Sequence, residues 1–345
     1  MSEALAETPE YEIHFLDVGD ADCIAVKYRA NAESKTYIVL IDAGNVSDGG
    51  AIKEFLKNRF GTLSIDLAVC THPDKDHKGG FFSLLEDADV TIREFWLKDP
   101  YKFISDEDFT RMKRTDKKLE ACRSIYNHPS DLSKNLISLI ERKRNKDGSD
   151  CVWKDVSENH KHPYVPIKVL GPTEDYYEEV AFGIVSSFAE LKEDPSTDAY
   201  DEKFDVSDDY AKSVIDKTDD ASYTNKGSLI LLLTLTPHFK ILLAGDASQT
   251  SIGMAYDRHE EILGSVLKVP HHGSKHNLNT LVIDKLKPSA SIVCAAQTKK
   301  HPNPAIVSWL SKYGSVYCTR KSKGLYYTDR AVTHKAEPLR KKQGS

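Results

Sequence analysis

The sequence predicts an α/β protein in which two mixed β-sheets are covered on the outside by helices. Strand-like runs outnumber helical ones and alternate with them singly, so the regular βαβ rhythm of a doubly wound sheet is missing. Several apolar runs end directly at His or Asp, as expected where a rigid sheet presents functional loops. With 345 residues, of which 40% are hydrophobic, the chain is long enough to bury a sizeable core.

The first part of the chain begins with three strands. They are YEIHFLDVG (11–19), DCIAVKY (22–28) and TYIVLIDAG (36–44). A helix follows at 51–61, where four apolar residues recur at helical spacing and Gly61 ends the element: Ile52, Phe55, Leu56 and Phe60. The buried-type strand IDLAVCT (65–71) then ends at His72, and FFSLLE (81–86) starts another helix.

The middle of the chain differs in character. Residues 98–162 are rich in Lys, Asp and Ser and are interpreted as an insertion, with an amphipathic helix at 131–144 built on Leu132, Leu136, Ile137 and Ile140. VPIKVLGP (165–172) reads as a strand. Residues 190–220 hold 12 Asp or Glu against 4 Lys, so we expect 173–222 to be an acidic insertion or mobile loop.

The last part of the chain returns to regular elements. SLILLLTLTPHFKILLAGDAS (228–248) predicts a hairpin whose second strand leads to Asp246. A helical stretch, a strand into VPHHGSKH, a helix near 279–286, the strand ASIVCAA, the helix PAIVSWLSKYG and the strands SVYCT and LYYT follow. We therefore expect one domain over 10–330 and a basic tail at 331–345.

Composition limits the class of protein. The formal net charge of −6 does not indicate a globally basic nucleic-acid binder. The acidic N-terminus lacks a signal-like apolar core, and the longest mostly apolar run, Leu229–Leu235, is far shorter than the roughly 20 residues that span a bilayer, so we expect a soluble protein. The cysteines form no CxxC pair and are expected to be reduced core residues of a cytoplasmic protein: Cys23, Cys70, Cys122, Cys151, Cys294 and Cys318.

Polar residues suited to metal binding follow three strands. THPDKDHKGG (71–80) supplies two imidazoles and two carboxylates, from His72, Asp74, Asp76 and His77. Such a stretch is also compatible with a charged surface turn. Asp246 ends an apolar strand where a charge is poorly placed without a positive partner, and His271 and His272 end another. Together the three groups favour a divalent-metal site.

These motifs resemble the metallo-β-lactamase superfamily, whose signature is HxHxDH, a separate His, an Asp and a last His. The closer resemblance is to the ComEC-like branch, the hydrolase domain of the bacterial DNA-uptake channel protein, here in a stand-alone soluble form. It implies an αββα sandwich with helical and acidic insertions. The resembling phrases are FLDVGDAD (15–22), LIDAG (40–44), THPDKDHKGG, VLGP (169–172), NKGSLILLL (225–233), LLAGD (242–246), LKVPHHGSKH (267–276) and the stretch 301–324.

The resemblance implies two divalent ions, Zn²⁺ or Mn²⁺. His72 and Asp74 would hold one ion, Asp76 and His77 the other, and Asp246 would bridge them. Either His271 or His272 would complete the second set. Asp42 would orient ligands from beneath the metal loop, and the alternative is a strand-end turn residue. The FLDVGDAD turn is expected to form a wall of the pocket without binding metal.

Two departures from the family pattern stand out. Asp74 replaces the second His of HxHxDH, which is the ComEC-like form and favours manganese over zinc because an oxygen ligand is harder. The separate His is missing, and Thr224–Ser228 stand in its place. Asn225 there is expected to contact substrate or a metal-bound water.

The resemblance implies a phosphodiesterase or nuclease that uses a metal-bridging hydroxide oriented by Asp76. Ser274, Lys275 and His276 would contact phosphate, or form an ordinary polar loop. His301 would protonate a leaving oxygen, or belong to a helix-capping loop. Local basic clusters favour nucleic acid: Arg142–Arg144 with Lys146, Lys299–Lys300, Arg320–Lys321 with Lys323, and Arg340–Lys342.

Two other functions stay open. One is hydrolysis of a small phosphoester, cyclic nucleotide or thioester, with the insertions acting as a lid. The other is a catalytically degenerate binding module, for which the missing His is the main argument. Independently of the substrate, the insertions offer a surface for a protein partner.

Overall fold

The strands of the protein form two sheets. The structure is a computed structural model, which describes residues 9–344 except 113–115, 188–203, 218, 221, 298–300 and 329–335. In chain order the strands are β1 (Glu10–Phe15), β2 (Ile24–Arg29), β3 (Tyr37–Ile41), β4 (Ser64–Val69), β5 (Thr91–Leu97), β6 (Val152–Asp155), β7 (Ile167–Gly171), β8 (Ile230–Thr236), β9 (Phe239–Leu243), β10 (Val266–Lys268), β11 (Ala290–Val293), β12 (Ser315–Cys318) and β13 (Leu325–Thr328).

The two sheets are both mixed. The first has the order β13-β1-β2-β3-β4-β5-β6, and the second has the order β12-β11-β10-β9-β8-β7. β3 to β6 are parallel in the first sheet, and β9 to β12 are parallel in the second. The remaining pairs are antiparallel. The predicted fold class of two mixed sheets with helices is confirmed.

The helices cover the outer faces of the sheets. The α-helices are α1 (Gly49–Phe55), α2 (Lys75–Glu86), α3 (Asp106–Arg111), α4 (Lys118–Arg123), α5 (Leu136–Arg142), α6 (Glu174–Ser187), α7 (Asp208–Ile215), α8 (Tyr223–Lys226), α9 (Gln249–Arg258), α10 (Thr280–Leu286), α11 (Pro304–Leu310) and α12 (Thr319–Ser322). One apolar cluster packs the two sheets together, and two others join each sheet to its helices. The layers are therefore helix, sheet, sheet and helix.

The carboxyl ends of the parallel strands position the polar residues. Asp42 follows β3, and the His72 loop follows β4 in the first sheet. Asp246 follows β9, and His271 follows β10 in the second sheet. Because neighbouring parallel strands end at one edge, these residues meet where the two sheets come together.

The helix boundaries refine the prediction. The expected helix at 51–61 is present as α1 with a π-helical turn, Leu56–Phe60, that ends at Gly61 with φ 70°. The helix expected at 131–144 is shorter, because the Asn135 side chain accepts from Ser138 N–H and starts α5 at Leu136. Leu132, expected on its apolar face, is 77% exposed. α2 starts at Lys75, earlier than the stretch FFSLLE indicated.

The two interpreted insertions contribute regular structure where they are described. β6, from 98–162, extends the first sheet. In 173–222, α6 buries Tyr177, Val180 and Ile184 in the core, and α7 buries Ala211 and Ile215. Residues 188–203, which hold six of the 12 acidic residues counted above, lie outside the described residues.

The cysteines and the helix lengths bear on two further expectations. All six cysteines are buried and free, as predicted for reduced core residues. Among the described residues, no helix has the length and apolarity needed to cross a membrane.

Candidate metal centre

Carboxylates and imidazoles converge at the shared edge of the two sheets. Several are almost completely buried, which is costly for ionisable groups unless they have partners. The first sheet and its loops contribute Asp22, Asp42, His72, Asp74, Asp76 and His77, and the second sheet contributes Asp246, His271 and His272.

The THPDKDHKGG stretch is half loop and half helix. Asp74 is the N-cap of α2, so Asp76 and His77 lie in its first turn. The glycines after them allow α2 to approach the loop that follows β3. A Cβ on Gly80 would lie 2.2 Å from the Ala43 carbonyl oxygen, and a Cβ on Gly79 would lie 2.4 Å from the Asn45 backbone. The glycine pair is therefore required to seat His77 beside Asp42.

Asp42 orients two of the histidines. Its carboxylate accepts from the Thr71 N–H at 2.8 Å, from the Thr71 hydroxyl at 2.7 Å and from His77 Nδ1 at 2.8 Å. Because the Thr71 hydroxyl donates to Asp42, it can accept from His72 Nδ1, which lies 3.1 Å away. Asp42 thus fixes His77 directly and His72 through Thr71.

Three imidazoles present Nε2 to the same space. His72 and His77 use Nδ1 as described, and His272 Nδ1 donates to the Cys294 carbonyl oxygen at 2.7 Å. A neutral imidazole that donates from Nδ1 carries its lone pair on Nε2. Burial, followed by the nearby His77, lowers the pKa of His72 to about 3, so this ring is neutral at pH 7. The Nδ1 contacts of the three rings therefore leave Nε2 as the nitrogen that each can offer to a cation.

Four residues form the set that we call the second position: Asp76, His77, Asp246 and His272. One ligand atom from each lies within 4.8 Å of the others. His77 Nε2 is 3.4 Å from Asp246 Oδ1, and His272 Nε2 is 3.1 Å from Asp76 Oδ2. Ligand atoms around a tetrahedral ion bonded at about 2.1 Å lie about 3.4 Å apart, so the set fits a divalent ion.

The set that we call the first position has His72, Asp74 and Asp246. His72 Nε2 lies 3.7 Å from Asp74 Oδ2 and 3.8 Å from Asp246 Oδ2. Asp246 thus presents Oδ1 to the second position and Oδ2 to the first. Within the described chain, His72 Nε2 and Asp74 Oδ1 of this position are buried and make no hydrogen bond, as expected of atoms reserved for a cation. The same holds for His77 Nε2 of the second position and for Asn225 Oδ1.

His271 and His272 face different partners. His271 Nδ1 lies 3.2 Å from Asp220 Oδ2 and 3.0 Å from Asn277 Oδ1, and the ligand group of the second position includes His272 but not His271. Burial lowers the pKa of His271, but the carboxylates of Asp246 and Asp220 outweigh it and raise the value to about 9. Asn225 Nδ2 donates to Asp220 at 2.6 Å, so Asn225 belongs to this polar group.

Sequence reasoning missed Asp220, Asn277 and Lys268. Asp220 ends a run of acidic residues, so nothing local singles it out. Lys268 could have been noticed, since a charged residue in an apolar strand indicates a buried partner of opposite charge. It forms an ion pair with Asp22, donates to the Gly245 carbonyl oxygen at 3.0 Å and lies 3.7 Å from Asp246 Oδ1.

The expected substrate contacts lie beside this cluster. His301 is 5.6 Å from the His271 ring, and its buried Nδ1 makes no hydrogen bond to the described residues. Burial and the neighbouring His272 lower the pKa of His301 to about 3, which makes it a poor proton donor at pH 7. Ser274 Oγ accepts from the His276 N–H at 3.3 Å, and Lys275 is half-buried.

Most basic clusters are paired with acids or buried. Arg144 contacts Asp150, Lys146 contacts Asp89, and Arg320 contacts Asp17. Lys143 is buried and donates to the Asp87 carbonyl oxygen. In the tail, Arg340 pairs with Asp205, and its carbonyl accepts from Val316 N–H at the edge of β12. Lys299 and Lys300 lie outside the described residues.

The two sheets with their covering helices, and the cluster that could hold a metal ion, define an α/β protein with a candidate metal-binding centre. Residues 19–186, just under half of the chain, match the family described as Metallo-beta-lactamase superfamily. The match supports that superfamily, whose members are mostly metal-dependent hydrolases, and the αββα arrangement is consistent with its fold. It includes the His72–His77 motif but ends before Asp246. The comparison with curated proteins gave no match.

Acidification should weaken cation binding at the first position. Burial, followed by the Asp76 carboxylate, raises the pKa of Asp74 to about 6. A proton then competes with the cation below pH 6, and the apparent affinity should fall by up to about tenfold per pH unit. The chelated protein should show the opposite trend. Its folded state holds this proton more tightly than the unfolded chain does, so this group adds stability as the pH falls through 6.

Metal content after dialysis at pH 5 to 8, and urea unfolding in chelator, measure these two trends. Asp74→Asn is the matched control, because it removes the titrating carboxyl group at nearly constant volume. Both pH dependences should flatten in this variant between pH 7 and 5. If the variant kept the wild-type slopes, Asp74 would not be the titrating group.

Proposed function

We propose that the protein is a dinuclear metal-dependent hydrolase that acts on phosphodiesters, with nucleic acid as the leading substrate class. One observation carries this proposal. The Asp246 carboxylate presents one oxygen to His72 at 3.8 Å and the other to His77 at 3.4 Å. A carboxylate between two ligand sets is the arrangement that a two-metal site requires. Zinc and manganese both suit the donors, and Asp74 favours manganese.

The residues around the two positions would have different roles in catalysis and in substrate binding. Bound divalent ions would supply an activated water and neutralise charge on phosphate oxygens. Asp76, in the first turn of α2, would orient the attacking water, and the unpaired Asn225 Oδ1 would contact water or substrate. We propose His301, neutral at pH 7, as a hydrogen-bond partner of the substrate rather than as the proton donor. Ser274 and Lys275 would bind phosphate.

A small substrate is the second candidate, and the surface charges favour it. Binding of long nucleic acid depends on Lys and Arg that are available to phosphates. Here Arg144, Lys146, Arg320 and Arg340 are engaged by carboxylates, and the net charge is −6. A small phosphoester, cyclic nucleotide or thioester would need only the pocket. A degenerate binding module is less well supported, because the buried His72 Nε2 and Asp74 Oδ1 make no hydrogen bond to the described residues.

The remaining assignments are proposals of the same kind. We propose a stand-alone ComEC-like hydrolase with one domain over 10–330, insertions at 98–162 and 173–222, and a tail at 331–345. The pairing of β13 with β1 supports one domain, because it returns the end of this range to the first sheet. The insertions would be available to a protein partner. The buried free cysteines support a reducing compartment such as the cytoplasm.

A substrate panel tests the function. Single- and double-stranded DNA, RNA, cyclic nucleotides, an acyl thioester and bis-p-nitrophenyl phosphate would be offered with Mn²⁺, with Zn²⁺ and with chelator. We expect metal-dependent cleavage of bis-p-nitrophenyl phosphate and of at least one nucleic acid. Elemental analysis should find up to two divalent ions per chain.

The controls separate the candidate functions. Asp246→Asn protein purified in parallel would expose a contaminating nuclease. Turnover of cyclic nucleotide or thioester alone would favour the small-substrate hydrolase. Metal binding without turnover of any substrate would favour the binding module, and a chain without metal would exclude all metal-dependent functions.

A further inference from the structure

A lysine ammonium lies inside the acidic cluster. Lys268, the last residue of β10, has 0% exposure. Its Nζ forms an ion pair with Asp22, donates to the Gly245 carbonyl oxygen at 3.0 Å and lies 3.7 Å from Asp246 Oδ1. A lysine is almost never fully buried unless it is paired, so its contacts with the acidic cluster are what allow Lys268 to be buried here.

Asp22 connects that ammonium to both sheets. Its side chain is buried, with Oδ1 3.7 Å from His272 Nδ1 and Oδ2 3.9 Å from His77 Nδ1. Its backbone N–H donates to the Asp76 carbonyl oxygen at 3.2 Å, and its own carbonyl oxygen accepts from Gly44 N–H at 2.8 Å. Asp22 therefore lies directly behind two of the histidines that face the metal positions.

Asp22 also belongs to a second group of ligand-type atoms. Asp22, Asp42 and His77 offer atoms within 4.8 Å of one another, as a cation site would. His77 Nδ1, however, is held by Asp42 at 2.8 Å, and Asp22 already contacts the Lys268 ammonium. The positive charge at this group is thus provided by the chain itself.

Lys268 contributes to the charge balance of the carboxylates at and behind the two metal positions. Asp22, Asp42, Asp74, Asp76 and Asp246 bring five carboxylates to the centre. Two divalent ions would balance four of them, and Lys268 balances the fifth. Removing one partner of a buried ion pair is strongly destabilising, because an uncompensated charge stays behind.

We propose that Lys268 is an internal counter-ion of the metal centre. It is a positioning residue that holds Asp22 and Asp246, and its ammonium replaces a metal ion at the group formed by Asp22, Asp42 and His77. It keeps the cluster folded before metal is loaded and limits the centre to two divalent ions. The inference rests on the two-metal centre of the proposed function. Its first readout, the stability of chelated protein, needs no bound metal.

The proposal is tested by removing the charge of Lys268 and then also the charge of its partner Asp22. Lys268→Met should lower the Tm of the chelated protein by about 5–10 °C. Adding Mn²⁺ or Zn²⁺ should then raise the Tm of this variant more than that of wild type, because cations replace the missing charge. Asp22→Asn combined with Lys268→Met should restore the chelated Tm, since both charges are gone. Loss of packing alone would not be restored by a change at Asp22.

Lys285→Met is the matched control, since Lys285 pairs with Asp257 at 2.7 Å on the surface. Its Tm should stay within about 1 °C of wild type. If Lys268→Met does not fold in chelator, recovery of folded protein in the double variant gives the same support. Failure of Asp22→Asn to restore the Tm, or equal metal-induced shifts in wild type and Lys268→Met, would overturn the proposal. Absence of metal binding in wild type would instead contradict the proposed function.

Discussion

Asp246→Ala is expected to lower kcat/KM by at least about a hundredfold and to reduce the metal content of the chain. The reason is the position of the carboxylate, which is 2% exposed and lies between His72 and His77. Its Oδ1 also accepts from the His271 N–H at 3.1 Å. Changes to residues that only support metal ligands cost 10–100-fold in affinity or activity, so loss of a shared ligand should cost more.

The measurement combines turnover of bis-p-nitrophenyl phosphate with elemental analysis of the same samples. Asp246→Asn separates the lost charge from lost packing, because its side chain has almost the same volume. Asp257→Asn is the matched control on the exposed face of α9 and should behave as wild type. Wild-type metal content and turnover in Asp246→Asn would contradict the bridging role.

The strand ends explain why so much of this arrangement was predictable. An apolar run that stops at His or Asp can be recognised within a short stretch of sequence. IDLAVCT before His72 and ILLAG before Asp246 therefore indicated both the sheets and the residues at their edge. Parallel neighbours then bring these ends together without further information. The six cysteines were predictable as reduced core residues because they are scattered without a CxxC pair and several lie in apolar runs.

Pairings between distant residues were not predictable. Lys268 and Asp22 are in contact only because β10 and the turn after β1 meet at the join of the two sheets. Asp220 contacts His271 through a segment whose composition resembles a solvated loop. Local competition also misled the helix prediction. Asn135 caps α5 and excludes Leu132 from it, although Leu132 has the correct spacing.

The histidine pair shows how backbone geometry resolves a question that the sequence left open. His271 and His272 both have positive φ, 47° and 53°. This left-handed turn directs the two neighbouring rings to different partners, with 5.9 Å between their centroids. His272 lies with Asp76 and Asp246, whereas His271 Nδ1 lies with Asp220 and Asn277. We therefore propose His272 as the ligand of the second position.

His272→Ala and His271→Ala should consequently differ in metal content. His272→Ala is expected to lose about one divalent ion per chain and at least about a hundredfold in kcat/KM, because it removes an Nε2 ligand that the Cys294 carbonyl holds in place. His271→Ala should keep the metal content of wild type, since His271 is not part of the ligand group that His272 forms with Asp76, His77 and Asp246. The two variants change neighbouring residues of the same type, so each is the other's control. Equal metal loss in both would mean that the turn, rather than one imidazole, sets the affinity. Loss in His271→Ala alone would reverse the assignment.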